Sequence, residues 1–210
     1  MGGCIFCSAP FTDVAYAHVC SKCGAPQPIS PEEDHFSLLG VKRGFQQNLP
    51  ELENRFYAIS RTLHPDRFAA GGDSKWKVIS VERMSAVNRA YQTLTKADRL
   101  REYLLTLEGV PEKVESPAVP ADLAEEWFEL QDTVLEDPSH SLQKLGRFES
   151  DLRARAEDLA KKIKEFEHAY DAGTTERREV LRKIEKLVLD AQYLKSMERD
   201  LLKLKIRLGI

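Results

Sequence analysis

The sequence predicts an all-α chain: a small N-terminal cysteine segment, a helical hairpin, and a three-helix bundle at the C-terminal end. Three observations predict it. All four cysteines fall in the first 23 residues, as Cys4-x-x-Cys7 and Cys20-x-x-Cys23. From Glu32 onward the apolar residues recur with a period near 3.6 rather than 2, the spacing of a helix face. Between Pro111 and Pro120 a proline-spaced connector interrupts that pattern and separates two helical units. Domains are therefore expected at 1–28, 32–109 and 120–210.

Two Cys-x-x-Cys pairs at this separation suit a tetrahedral tetrathiolate site. Four thiolates close the coordination sphere, so the expected ion is structural zinc held by Cys4, Cys7, Cys20 and Cys23. A segment this short buries little core, and the metal takes its place. Two disulfides, or redox-active Cys-x-x-Cys motifs, are the alternative. His18 is a fifth candidate ligand, but four sulfurs suffice. Gly24 suits a turn of positive φ behind the second pair. The turn-rich stretch from Gly24 to Pro31 reads as a linker, and no internal repeat is visible.

The helices follow in order. The first is expected over 32–39, with Ser30 as N-cap, Pro31 at its first position and Gly40 as its stop. The second fits about 50–63: Leu52, Phe56, Ile59 and Leu63 share a face, and Pro65 ends it. A loop over 64–73 ends in Gly71-Gly72-Asp73. The third spans 74–95, with Val78, Val81, Met84 or Ser85, Asn88, Tyr91 and Leu94 inward. The fourth spans 97–107, before Gly109 and Pro111. The fifth, about 121–136, is broken from the sixth by Asp137-Pro138. The sixth, about 139–171, carries Leu142, Leu145, Phe148, Leu152, Leu159, Ile163, Phe166 and Tyr170 on one face. After a turn at Gly173 the seventh, about 174–208, carries Val180, Ile184, Leu187, Ala191, Leu194, Leu201 and Leu202. Long single-striped helices of similar length around a glycine turn predict an antiparallel hairpin.

Composition excludes several functions. The 210 residues hold 31 Lys+Arg against 34 Asp+Glu, and 42% are hydrophobic. That is a folded composition with no excess charge for a general polyanion binder. Residues 1–28 hold one Lys and no Arg, so the cysteine segment lacks the charge that neutralises phosphates. No apolar run approaches the roughly 20 residues of a membrane span. Met1-Gly2-Gly3-Cys4-Ile5-Phe6 has no basic flank for a secretory signal, and Phe6 stands where a myristoylation signal wants Ser or Thr. The expectation is a cytoplasmic protein with neither nucleic-acid nor membrane partners.

His64-Pro65-Asp66 sits in the loop between two amphipathic helices, with Leu63 before it and Arg67-Phe68 after it. The next helix carries Asn88-Arg89-Ala90-Tyr91-Gln92-Thr93-Leu94. This pattern resembles a J-domain, the module of DnaJ-type co-chaperones. The flanks Asp34-His35-Phe36-Ser37-Leu38-Leu39-Gly40, Arg61-Thr62-Leu63-His64-Pro65-Asp66-Arg67-Phe68-Ala69 and Arg99-Leu100-Arg101-Glu102-Tyr103-Leu104-Leu105 are similar to the HscB family of iron–sulfur co-chaperones. Several members of that family also carry paired Cys-x-x-Cys motifs ahead of the J-domain, and in it a three-helix bundle follows.

The resemblance implies a protein that is not an enzyme. It would recruit a DnaK-type (HscA-like) ATPase chaperone to an IscU-type iron–sulfur scaffold, stimulate its ATP hydrolysis and promote cluster transfer. It implies chaperone contact through His64, Pro65 and Asp66, with Arg55, Arg61 and Arg67 beside them. The residues agree: no nucleophile, metal or phosphate loop adjoins His64 and Asp66, so an acid–base reading lacks its constellation. Many J-domains carry a denser basic face here, where this chain has Tyr57, Ala58 and Thr62. The alternative is a general J-domain co-chaperone for protein folding with a zinc-stabilised N-terminus. That class is expected to show a Gly/Phe-rich linker and a β-rich client domain, and neither is present.

The fifth helix carries two apolar stripes. Leu123, Trp127, Leu130 and Val134 form one, and Ala124, Phe128 and Leu135 lie about 120° away at 100° per residue. Residues 121–137 hold seven acidic and no basic residues. An aromatic bordered by carboxylates resembles a docking patch. By resemblance the scaffold would dock on Leu123, Ala124, Trp127, Phe128, Glu129 and Asp132. The register leaves open whether Phe128 or Trp127 is the anchor, and whether Phe128 instead packs against the seventh helix.

Overall fold

The computed structural model describes residues 3–11, 17–68, 74–110, 121–136, 138–173 and 176–209, with the side chains of 121, 135, 136 and 138–141 left aside. The glycine turn at 71–73, the connector 111–120, the Asp137 break and the side chain of Leu135 lie outside these residues. The chain divides into two units between Leu104 and Leu105. Among the described residues there are seven α-helices, no strand, and no helix long and apolar enough to cross a membrane.

In the first unit, α1 (His35–Leu39) starts three residues later than expected. Its N-cap is Asp34, not Ser30. The Asp34 carboxylate accepts the Ser37 N–H at 2.7 Å, and the Ser37 hydroxyl accepts the Asp34 N–H at 2.8 Å. This reciprocal cap outcompetes a start at Pro31, and Ser30 instead turns towards Glu32 and Glu33. Partial burial opposes ionisation of Asp34, yet the Ser37 N–H and the Arg43 guanidinium hold its carboxyl below the usual range. Gly40 ends the helix in the left-handed region, at φ 65°.

Helix α2 (Leu49–Leu63) is capped by Asn48, buries Leu52 and Leu63, and half-buries Phe56 and Ile59. It packs along α3 (Ser74–Leu94), where Phe56 stacks on Tyr91 at 4.3 Å. The inward face of α3 matches the expected one at Tyr91 and Leu94 and differs from it before them. Val78 and Val81 are 57% and 48% exposed, and Ser85 and Asn88 also face solvent. The buried stripe is Ser80, Arg83, Ala86, Val87, Ala90 and Leu94. Apolarity misses this face because two of its members are polar and find their partners inside. The Ser80 hydroxyl donates to the Leu63 carbonyl at 2.5 Å. Helix α4 (Ala97–Leu107) buries Leu100 and Leu104, and its Tyr103 ring stacks on His35 at 4.1 Å while its hydroxyl accepts the His35 N–H.

Arg83 is 1% exposed. Its Nε donates to His18 Nδ1 at 2.9 Å, one terminal nitrogen donates to the carbonyls of Gln27 and Pro28, and the other pairs with Glu33 at 2.6 Å. His18 Nε2 in turn donates to the Leu38 carbonyl at 2.9 Å. Both ring nitrogens are thus engaged. Burial first, and then the charge of Arg83, bring His18 down to about 4, so the ring is neutral. Residues 25–27, expected within a linker, are buried. The cysteine segment is therefore packed against the helices of the first unit.

In the second unit, α5 (Ala121–Glu136), α6 (Pro138–Asp171) and α7 (Arg177–Leu208) enclose one core. It joins Leu123, Leu130 and Val134 to Leu145, Phe148 and Leu152 and to Leu194, Met197 and Leu201. Gly173, at φ 88°, turns α6 towards α7. Two expected core residues are exposed, Leu142 at 52% and Leu202 at 57%. Leu142 lies one turn ahead of Leu145, the first α6 residue in the core, and Leu202 is 100° round from the buried Leu201. Met197 and Leu181 are buried although the sequence stripe omitted them.

Arg83→Ala would strand a Glu33 carboxylate whose side chain is 2% exposed. Its expected cost is about 3–5 kcal/mol. The double variant Arg83→Ala/Glu33→Ala is expected to cost less than the two single changes combined, because the stranded charge leaves too. Denaturant unfolding of the three variants measures both effects.

Candidate functional site

Three groups of side chains stand out. In the first, the sulfurs of Cys4, Cys7, Cys20 and Cys23 all lie within 4.8 Å of one another. Cys4 and Cys23 are 3.6 Å apart, and Cys7 and Cys20 are 3.7 Å apart. All four are unpaired thiols. A tetrahedron with metal–sulfur bonds of about 2.3 Å has edges of about 3.8 Å. The cluster therefore fits one tetrahedral metal ion, and His18 is spent elsewhere.

The two halves of this site are a structural repeat, contrary to the expectation that none exists. Cys4-Ile5-Phe6-Cys7-Ser8-Ala9-Pro10 matches Cys20-Ser21-Lys22-Cys23-Gly24-Ala25-Pro26. The Cys4 N–H donates to the Ala9 carbonyl and the Cys20 N–H to that of Ala25, while Ser8 and Gly24 donate back to Cys4 and Cys20. Bridges pair Gly3 with Pro10 and Val19 with Pro26. Ser8 and Gly24 both have positive φ, 57° and 75°. The repeat is only seven residues long and is identical at four of them, too short for a periodicity to show. Gln27, which no motif reveals, donates to Cys4 Sγ at 3.4 Å and accepts the Ile5 N–H at 3.2 Å.

Thiol ionisation follows from this crowding. Burial alone would raise Cys4, but the Phe6 and Cys7 N–H groups and the neighbouring thiols bring it down to about 6. For Cys23 the Ala25 N–H favours the thiolate, yet burial and the other three thiols push it up to about 12. Four thiolates this close need a cation among them.

The second group is the loop after α2. His64 leaves the helix with ψ 126°, and Pro65–Phe68 form a single 3₁₀ turn. The His64 and Asp66 side chains are 60% and 87% exposed and 3.5 Å apart. The Arg67 N–H donates to the His64 carbonyl at 3.0 Å, and the Asp66 N–H reaches His64 Nδ1 at 3.3 Å. Phe68 is buried and anchors the turn. Of the neighbouring cations, Arg55 is paired with Glu51 along α2, the Arg67 guanidinium donates to the Arg61 carbonyl, and Arg61 itself is exposed. Tyr57, Ala58 and Thr62 are also on the solvent side. The turn is thus fixed at both ends and presents two exposed polar side chains.

The third group is on α5. Leu123 is fully buried, Leu130 and Val134 are buried, and Trp127 stacks on Phe148 at 5.6 Å. Phe128 is 65% exposed, so it does not pack against α7. Glu125, Glu129 and Asp132 are exposed around it and Ala124 is half-buried. The surface of this helix thus offers Ala124, Phe128, Glu129 and Asp132, while Leu123 and Trp127 belong to the core.

The chain is similar to known proteins in sequence and in fold. The mouse iron–sulfur cluster co-chaperone protein HscB is 29% identical over 184 residues, spanning 87% of this chain and 73% of its own. The co-chaperone protein HscB homolog of Shewanella amazonensis is 32% identical over 136 residues, spanning 60% of this chain and 78% of its own. The crystal structure of human co-chaperone HscB superimposes with a TM-score of 0.62 at 23% identity, over 98% of this chain and all of that one. No family model matches the chain.

Trp127→Ala, which removes a ring stacked in the core, is expected to destabilise by about 3–5 kcal/mol. Phe128→Ala should stay within about 0.5 kcal/mol of the parent. Equilibrium unfolding of the two variants reads the difference and fixes the register of α5.

Proposed function

The chain belongs to the HscB co-chaperone family, and we propose that it works as an adaptor between two proteins rather than as an enzyme. In this reading the J-domain over 32–109 meets a DnaK-type (HscA-like) chaperone through His64, Pro65 and Asp66, aided by Arg55, Arg61 and Arg67, and stimulates its ATP hydrolysis. The bundle over 120–210 holds an IscU-type scaffold through Ala124, Phe128, Glu129 and Asp132. The iron–sulfur cluster is cargo carried by the scaffold and passed onward. Residues 1–28 hold one structural zinc on Cys4, Cys7, Cys20 and Cys23.

One observation supports this reading above the others: the exposed His64-Pro65-Asp66 turn is held rigidly between buried Leu63 and buried Phe68. Rigid presentation lowers the ordering cost of binding. The carboxylate of Asp66 and the imidazole of His64 are then free to form charge-assisted contacts with a partner's Arg and backbone groups. On α5, an apolar ring among carboxylates favours a partner with an apolar pocket rimmed by basic residues.

His64→Gln and Asp66→Asn are expected to abolish stimulation in a steady-state ATPase assay while leaving the circular dichroism unchanged. Normal stimulation by either variant would refute the J-domain mechanism. Phe128→Ala is expected to weaken scaffold binding by about 2 kcal/mol, near thirtyfold, with stimulation by the chain alone unchanged. Isothermal titration with the scaffold measures this, and unaltered affinity would remove the α5 face from the docking site. Metal analysis of the reduced protein should find one zinc per chain. A protein that binds none, or binds iron in preference, would overturn the zinc assignment.

A further inference from the structure

The cysteine segment and the exposed turn lie on two sides of one stripe of α3. Trp76, Ser80 and Arg83 are spaced by four and three residues and share a face. Trp76 meets Phe6, between Cys4 and Cys7, edge to face at 5.7 Å. The same indole meets Phe68 edge to face at 6.4 Å. One turn on, Ser80 holds the carbonyl of Leu63, immediately before His64. Another turn on, Arg83 holds Gln27, Pro28 and, through its ring, His18. The residues that flank the tripeptide on both sides are thus fastened to α3, and α3 is fastened to the cysteine segment at two points.

We propose that the cysteine segment is a strut for the turn that carries His64 and Asp66, acting through Phe6, Trp76 and Phe68, with Trp76 as the positioning residue. The proposal rests on the reading of that turn as the chaperone contact. Phe68 is the only buried anchor on the C-terminal side of the turn among its four residues. Its position fixes the 3₁₀ geometry, and with it the Arg67 N–H bond to the His64 carbonyl. An indole held by Phe6 on one edge leaves Phe68 one seat. Without Phe6 the indole gains freedom and the turn loosens, although every residue of the turn itself is intact. Aromatic edge contacts of this kind change local populations by about two- to tenfold.

The test compares Phe6→Ala, Trp76→Ala and Trp76→Phe in the full chain, loaded with zinc. Three quantities are measured: metal content, amide exchange at Asp66, Arg67 and Phe68, and stimulation of a DnaK-type ATPase. Phe6→Ala should retain its metal, speed exchange in the turn roughly fivefold, and weaken stimulation by a similar factor. Amides within α1 and α5–α7 should exchange as in the parent. Trp76→Ala should act in the same direction and more strongly, and Trp76→Phe should restore most of the loss. Unchanged exchange in the turn of Phe6→Ala overturns the proposal. So does loss of metal from Phe6→Ala, since the side chain would then serve the cysteine site itself. If Trp76→Ala fails to fold, the Phe6 variant still decides. If the parent chain stimulates no chaperone, the functional reading fails, while the exchange data still settle whether the strut exists.

Discussion

A guanidinium sealed from water holds the first unit together. Arg83 sits on the buried face of α3, and every nitrogen of its planar head donates: to an imidazole, to two backbone carbonyls and to a carboxylate. Burying such a charge costs several kcal/mol unless geometry and partners are nearly complete. Here four hydrogen bonds engage all three nitrogens, and each partner belongs to a segment with little core of its own. Gln27 and Pro28 follow the second cysteine pair, and Glu33 precedes α1. His18 passes the constraint on to Leu38 within α1. Apolar packing could fill the same volume. It would not fix the register of residues 24–34, which form no helix and no strand, and directional hydrogen bonds do.

What the sequence made legible follows the same division. Helices whose inward face is wholly apolar are readable from periodicity: α2, α4 and the central turns of α6 and α7 lie where the pattern put them. The four cysteines are readable because metal chemistry demands a fixed donor set at short spacing. Phe128 and Trp127 were separable in angle but not in register, since one residue of shift exchanges the two stripes. Helix α3 lies where the pattern puts it, and Tyr91 and Leu94 face inward as expected, but Val78, Val81 and Asn88 do not. Its inner face contains Ser80 and Arg83, and its outer face contains Val78 and Val81, so apolarity points the wrong way. The start of α1 was hidden for a related reason. Asp34 and Ser37 complete each other's bonds, whereas Ser30 and Pro31 offer only a favourable composition. Polar groups satisfied in three dimensions leave no one-dimensional periodic trace.

The two candidate docking surfaces differ in physical type, and the difference suits their tasks. The His64-Pro65-Asp66 turn is small, polar and stiff. It can give a partner a few charge-assisted bonds with a narrow geometric tolerance, which suits triggering a step in another protein. The α5 surface is an exposed aromatic on a helix whose other face is anchored by Leu123, Leu130 and Trp127 against Phe148. It offers area and desolvation, which suits holding a client. Neither surface needs a reactive group in this chain.

Charge on α2 bears on which partner the turn can use. Long-range attraction between complementary surface charges raises association rates, and it fades as salt increases. On α2 the cation Arg55 is neutralised by Glu51 at 2.8 Å, and Tyr57, Ala58 and Thr62 are uncharged solvent-facing positions. That leaves Arg61 and Arg67 near the turn, and Arg67 spends part of its head on a backbone carbonyl. If the turn is the chaperone contact proposed above, encounter with little steering depends on short-range fit, and discrimination among related chaperones would rest on shape and on specific bonds to His64 and Asp66. A rigid turn is then more than a convenience. Fit-based selection fails if the presented groups wander, and the buried Phe68 and the bonded Leu63 carbonyl are what prevent it.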